Sequence, residues 1–157
     1  MLVFNLIQIV LLILLGLATL YILVFSIASL FYKQKQYADN GNLKKIAVLI
    51  PGYKEDEVII EVANSALQQD YPAHLYDVVV IADSFQKETI AALQTLPIKV
   101  IEVSFDKSTK SKALNKAMAT LDRDYDIAVV LDADNLMAND FLKKVNAAFE
   151  HGFIAVQ

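Results

Sequence analysis

The sequence has no cysteine, which excludes a disulfide framework and any thiolate metal site and fits a reducing compartment. Its two histidines, His74 and His151, stand far apart with no partner at metal-ligand spacing, so turn or surface roles are expected of both. Neither a Walker loop nor G-x-S-x-G occurs, which sets aside P-loop nucleotide chemistry and the nucleophile elbow of the α/β-hydrolases. Lys107, Lys110 and Lys112 make only a short basic loop, far less than a nucleic-acid surface. No internal repeat is visible. Charge is also missing from one whole end: every charged side chain lies beyond residue 32, so the formal net charge of −4 averages two unlike parts.

The uncharged part, residues 1–32, is a long apolar run interrupted only by Asn5, Gln8 and a few hydroxyl residues. As a helix it would be about 48 Å long, at ~1.5 Å per residue, against a hydrocarbon core of about 30 Å. It is expected to cross a membrane once. A cleaved signal peptide is the rival reading, with Ser26–Ala28 supplying small residues. The missing basic n-region and an apolar stretch well beyond ~15 residues argue against it. Lys33, Lys35, Lys44 and Lys45 follow the run, which places the remainder in the cytoplasm by the positive-inside rule, with Tyr32 and Tyr37 at the interface. Residues 33–45 read as a juxtamembrane linker containing the Asn40-Gly41 pair.

From Tyr37 onward about 120 residues remain, enough for one small domain. Continuous apolar runs at 46–50, 76–83, 98–103 and 126–134 read as buried strands, the first closed by Pro51, with a fifth beginning at 153. Helical spacing occupies the intervals: from about Asp56 to the Gln-Gln-Asp-Tyr-Pro turn, then 87–96, 111–121 and 139–152. Regular alternation predicts an α/β fold with an open, mainly parallel sheet and helices on both faces. Ligands of such sheets bind at the carboxyl ends of the strands. Tyr53, Glu55, Asp83, Asp132 and Asp134 end the strands and should converge on one edge.

Asp132 and Asp134 pose the sharpest question. On an extended segment, alternate carboxylates face the same way about 6 to 7 Å apart. Such a pair repels itself unless a cation is shared, and hard oxygen ligands favour magnesium or manganese held jointly with substrate phosphates. Taken alone, the pair is more simply a turn residue and a helix cap. Likewise Glu55, Asp56 and Glu57 could be the acidic first turn of a helix.

The order of motifs tips the balance. "VLIPGYKEDEVI", "SALQQDYPAHLYDVVVIADS", "KSKALNKAM" and "VVLDAD" resemble, in the same order, the I-P-x-Y-N-E loop, the Q-D-Y-P turn with its acid-ended second strand, the K-A-x-A-L-N helix start and the D-x-D of family 2 glycosyltransferases. The resemblance covers about Lys45 to Gln157. It implies a GT-A fold binding a nucleotide-diphosphate sugar, usually UDP-linked, with a divalent metal (manganese or magnesium). By position, Pro51, Tyr53 and Glu55 would line the base and ribose pocket. Asp83 would hydrogen-bond uracil, and Lys110 would lie near the diphosphate. Asp132 would face the ribose and sugar, and Asp134, with Asp132 beside it, would hold the metal.

The sequence departs from the family pattern at Lys54, where asparagine is frequent, at Gly52, where alanine is, and at Asp83, which stands as a single acid after Ala82. The family's acidic general base follows the fifth strand, inside which the chain stops. Residues 46–157 are therefore expected to be the donor-binding half of a longer, membrane-anchored enzyme acting on a saccharide or lipid acceptor, with no catalytic base of their own. Two rival classes are a non-catalytic nucleotide-sugar sensor or partner subunit, and a phosphoacceptor signalling domain. The latter lacks an acidic pair after its first strand, where Pro51 and Gly52 stand. A nucleotidyltransferase would need a glycine-rich first loop.

Overall fold

The structure, a computed structural model, describes residues 1–33, 37–38, 41–121 and 124–156. Lys35, Asn40 and Gln157 of the segments named above lie outside these. The chain forms two units, Met1–Gln36 and Tyr37–Gln157.

The first unit is one helix, α1 (Leu2–Leu30), of 29 residues with no buried residue. Its length and an 18-residue stretch of mean hydropathy 2.8 make it long and apolar enough to cross a membrane. Its hydroxyls are satisfied within the helix, Thr19 Oγ1 donating to Leu15 O at 2.8 Å and Ser29 Oγ to Ser26 O at 2.7 Å.

The second unit alternates β1 (Ile46–Tyr53), α2 (Ile59–Leu67), a 3-10 turn (Ala73–Leu75), β2 (Tyr76–Asp83), α3 (Lys87–Leu93), β3 (Lys99–Val103), α4 (Lys110–Thr120), β4 (Ile127–Val130) and α5 (Phe141–Glu150). The four strands are all parallel in the order β3-β2-β1-β4. The strand period of two divides β1 between two cores. Ile46, Val48 and Ile50 meet Val78 and Val80 under Ile59, Val62 and Ala63 of α2, Leu93 of α3 and Leu142 and Val145 of α5. Ala47 and Leu49 meet Val79 and Ile81 under Ala113 and Ala117, whose small side chains let α4 lie close. Helices thus cover both faces, as the continuous apolar strands require.

Four expectations need correction. Pro51 does not close the first strand, because β1 runs on to Tyr53 beside β2. Lys45 O and Leu49 O accept from Ile127 N and Leu131 N, so the odd-numbered residues of β1 turn their backbone toward β4. Pairing with β4 ends at Leu49, so proline's missing N–H costs no ladder bond. The fourth strand stops at Val130, short of both aspartates. Helix α2 begins at Ile59, so Glu55, Asp56 and Glu57 precede it and are not its first turn. Residues 153–156 form no strand; the ring of Phe153 packs edge-on against Tyr37 at 5.3 Å instead.

Candidate functional site

Strand order reverses direction at β1: the chain moves outward through β2 and β3, then returns to place β4 on the other side of β1. The loops leaving β1 and β4 diverge there, and a crevice opens at the carboxyl ends of the strands. A cleft of about 390 Å³ lies at that point. All seven residues singled out from the sequence line it: Pro51, Tyr53, Glu55, Asp83, Lys110, Asp132 and Asp134.

Each wall has a local cause. Asp83 ends β2 and is 2% exposed; its carboxylate accepts from Ser84 Oγ at 3.0 Å. Its carbonyl accepts from Lys54 N at 3.1 Å, which ties the loop after β1 to the end of β2. Lys54 and Ser84 have φ of 56° and 59°, a left-handed backbone that non-glycine residues adopt at a cost of about 1–3 kcal/mol and that clusters at functional loops. Both chains turn sharply at the cleft floor. Tyr53 is half exposed, with Lys54 Nζ 5.2 Å from its ring centroid. Glu55 O accepts from Val58 N and Ile59 N, leading the chain into α2. Asp56 accepts from Gln86 N at 2.9 Å; hydrogen bonding from Thr89, against a slight burial penalty, holds its carboxyl below the ordinary 3.8.

The opposite wall is the start of α4. Thr109 is its N-cap, the hydroxyl accepting from Lys112 N at 3.3 Å. Lys110, in the first turn, pairs with Asp132 through Nζ and Oδ1. Lys112 turns away, donating to Lys107 O at 2.7 Å, with its ammonium 5.8 Å from the Phe105 ring centroid. Of the basic loop, therefore, only Lys110 enters the site.

Asp132 and Asp134 do not lie on an extended strand. Asn135 N donates to Asp132 O at 3.1 Å, closing a turn; Asp, Ala, Asp and Asn in succession favour this over a ladder. Asp134 does not cap the next helix either, since the N-cap of α5 is Asp140. No cluster of three or more His, Asp or Glu suited to a metal exists among the described residues. Two carboxylates in an open cleft suit a small hard cation that completes its shell with substrate phosphate oxygens and water, and not an all-protein cage. The donor set fits magnesium or manganese on those terms.

The sequence reading omitted Gly52, Ser108, Thr109, Ala113 and Ala133, which also line the cleft. Thr109 was detectable as a hydroxyl residue just before a helical pattern. Phe85 carried no signal. Its ring lies across Gly52, whose added Cβ would meet Phe85 Cζ at 2.7 Å and Ala133 Cβ at 3.6 Å, so the end of β1 and the loops after β2 and β4 pack at that point.

His74 and His151 stand apart from the site. His74 sits in the 3-10 turn, and His151 Nδ1 lies 2.8 Å from Ala147 O at the end of α5.

Comparison with known proteins agrees with this fold. Poly(ribitol-phosphate) β-N-acetylglucosaminyltransferase TarS of Staphylococcus aureus strain Mu50 is 26% identical over 109 residues, which are 67% of this chain and 19% of that protein. The chain therefore spans about a fifth of the length of that relative. Among solved structures, mannosyltransferase PcManGT from Pyrobaculum calidifontis, in complex with GDP-Man and Mn2+, superposes with a TM-score of 0.61 at 27% identity, covering 80% of this chain and 39% of that one. S. aureus TarS 1–349 in complex with UDP gives a TM-score of 0.56 at 25% identity, over 68% of this chain and 32% of that one. The parallel sheet with flanking helices is a GT-A-like fold. The family model described as glycosyltransferase like family 2 matches residues 44–157, nearly the whole of the second unit, and the chain belongs to that family.

Proposed function

We propose that this chain is the donor-binding part of a membrane-anchored glycosyltransferase. It would transfer a sugar from a nucleotide-diphosphate sugar, a UDP-sugar first of all, to a polysaccharide or lipid acceptor. The observation that carries the reading is the convergence of seven residues from three strand ends and one helix start on a single cleft at the switch point of the sheet. GDP-Man and UDP are bound in the two solved relatives, which supports a nucleotide-linked donor here.

In this reading the base enters between Pro51, Tyr53 and Asp83. The buried Asp83 carboxylate accepts a ring N–H, and a donor site that pairs with such a group rejects bases lacking it. Glu55 faces the ribose. Lys110 and the start of α4 take the diphosphate, where an ammonium and helix N–H groups suit negative charge. Asp134 holds the divalent metal with Asp132 beside it, and Asp132 also faces the sugar. A bound divalent cation would neutralise the charge growing on the nucleoside diphosphate as it leaves. The acceptor hydroxyl must lose its proton to a general base, a role given to none of the cleft's residues. Helix α1 would be the anchor, and Lys33, Lys44 and Lys45 beyond it support a cytoplasmic location for the cleft.

The test is calorimetric titration of the full chain in detergent micelles with UDP, GDP and ADP in the presence of Mn2+. The expected order has UDP tightest. Absence of binding by all three nucleotides contradicts the proposal, and preference for GDP would move the donor class to guanosine-linked sugars.

A further inference from the structure

We propose that Lys110 is a latch on Asp132 that makes metal binding and nucleotide binding at the cleft depend on each other. This rests on the reading that the cleft holds a nucleoside diphosphate with a divalent cation.

Asp132 and Asp134 are the two carboxylates of the turn after β4, and Asp132 already carries a cation of the protein's own. The Lys110 ammonium sits on its Oδ1. Both side chains line the cleft and both are about half exposed, at 50% and 54%, so the pair is free to open. A divalent metal that takes up Asp132 without nucleotide must displace the ammonium, which then loses its ion pair. A diphosphate changes this. Its oxygens give the ammonium an anionic partner within the same cleft, and they add ligands for the metal at the carboxylates thus released. Each ligand removes an obstacle to the other, and by linkage the two effects are equal in size.

Lys112 provides the control. It stands on the same helix with the same charge, but its ammonium bonds Lys107 O outside the cleft. A general electrostatic effect would move both lysine variants alike; a latch moves one.

The experiment measures Mn2+ binding by the loss of free-ion electron paramagnetic resonance signal. The samples are the full chain in micelles as wild type, Lys110→Gln and Lys112→Gln, with and without saturating UDP and corrected for Mn2+ held by free UDP. An exposed ion pair of this kind is worth a factor of about two to five in an equilibrium constant. Lys110→Gln is expected to bind Mn2+ about two- to fivefold more tightly without nucleotide, and the factor by which UDP tightens Mn2+ should shrink to match. Lys112→Gln should behave as wild type. Equal Mn2+ affinities without nucleotide in wild type and Lys110→Gln overturn the latch, and so does a shift of the same size in Lys112→Gln. Failure of the wild type to bind UDP at all would instead contradict the proposed function, while the nucleotide-free comparison would still decide the latch.

Discussion

Phe85 occupies the space that a side chain at position 52 would need: a Cβ on Gly52 would stand 2.7 Å from Phe85 Cζ. The absence of a side chain at 52 thus leaves the Phe85 ring its place. Gly52→Ala is expected to push the ring aside and cost about 1 kcal/mol of stability, the lower end of overpacking penalties because a ring can tilt. UDP binding should weaken as well, because the floor of the cleft moves. Replacing Phe85 by alanine in the same chain should remove the clash, leaving the double variant more stable than additivity allows. Thermal unfolding of the four proteins of the cycle measures this, and strict additivity would show that the contact carries no energy.

At the opposite end of the sheet, Asp77 accepts from Tyr125 Oη at 2.5 Å and pairs with Lys99 Nζ at 3.4 Å. Partial burial works against its charge, but the Tyr125 hydroxyl, Lys99 and Lys45 outweigh it and hold the carboxyl below its ordinary 3.8. A lowered carboxyl stabilises the fold fully above that ordinary value and loses the contribution as pH falls through the lower folded value. Lys99 works in the other direction. The Tyr125 hydrogen bond, against partial burial and with help from Asp77, raises it above 10.5, so its contribution is complete below that pH and lost as pH rises further. Asp77→Asn should therefore flatten part of the acid limb of melting temperature against pH, below about pH 4. Superposable acid limbs for wild type and variant would refute this.

Asn146 on α5 is fully buried. Its Oδ1 accepts from Lys44 N at 3.0 Å and Tyr71 Oη at 3.2 Å, and its Nδ2 donates to Asn42 O at 3.3 Å. It thereby pins the segment leading into β1. Asn146→Ala strips partners from these groups and is expected to cost about 1–3 kcal/mol. Chemical denaturation of the chain in micelles would show it, with an unchanged midpoint as the contrary result.

Asp83→Asn keeps the volume of a residue that is 2% exposed but replaces an acceptor-only group with one that also donates. UDP affinity should fall about tenfold or more, since a buried group that hydrogen-bonds its ligand discriminates strongly against a mismatched pairing. Calorimetry on the variant tests it. Retained affinity would move the base away from Asp83.

Much of the fold was readable because β1 and β2 are buried on both faces and so appear as unbroken apolar runs. The positions ending them pointed to the cleft for the same reason: polar residues follow apolar runs where a parallel sheet meets its ligand edge. Boundaries were harder. Pro51 looks like a stop until the direction of its missing N–H is known, and the Asp132–Asn135 turn cannot be separated from a strand by alternation alone. The Phe85–Gly52 contact joins the end of β1 to the loop after β2, 33 positions apart, and depends on how the strands align. Likewise the partner of Lys110 on Asp132 belongs to another element, and no local pattern announces it.

The most direct test is UDP binding by wild type and Asp134→Ala, each measured with Mn2+ and with the metal removed by chelation. The expected result is that removing the metal weakens UDP binding to wild type by tenfold or more and leaves the already weak binding of Asp134→Ala unchanged. Equal UDP affinity in both proteins, with or without metal, would contradict a metal-assisted nucleotide-diphosphate site at this cleft.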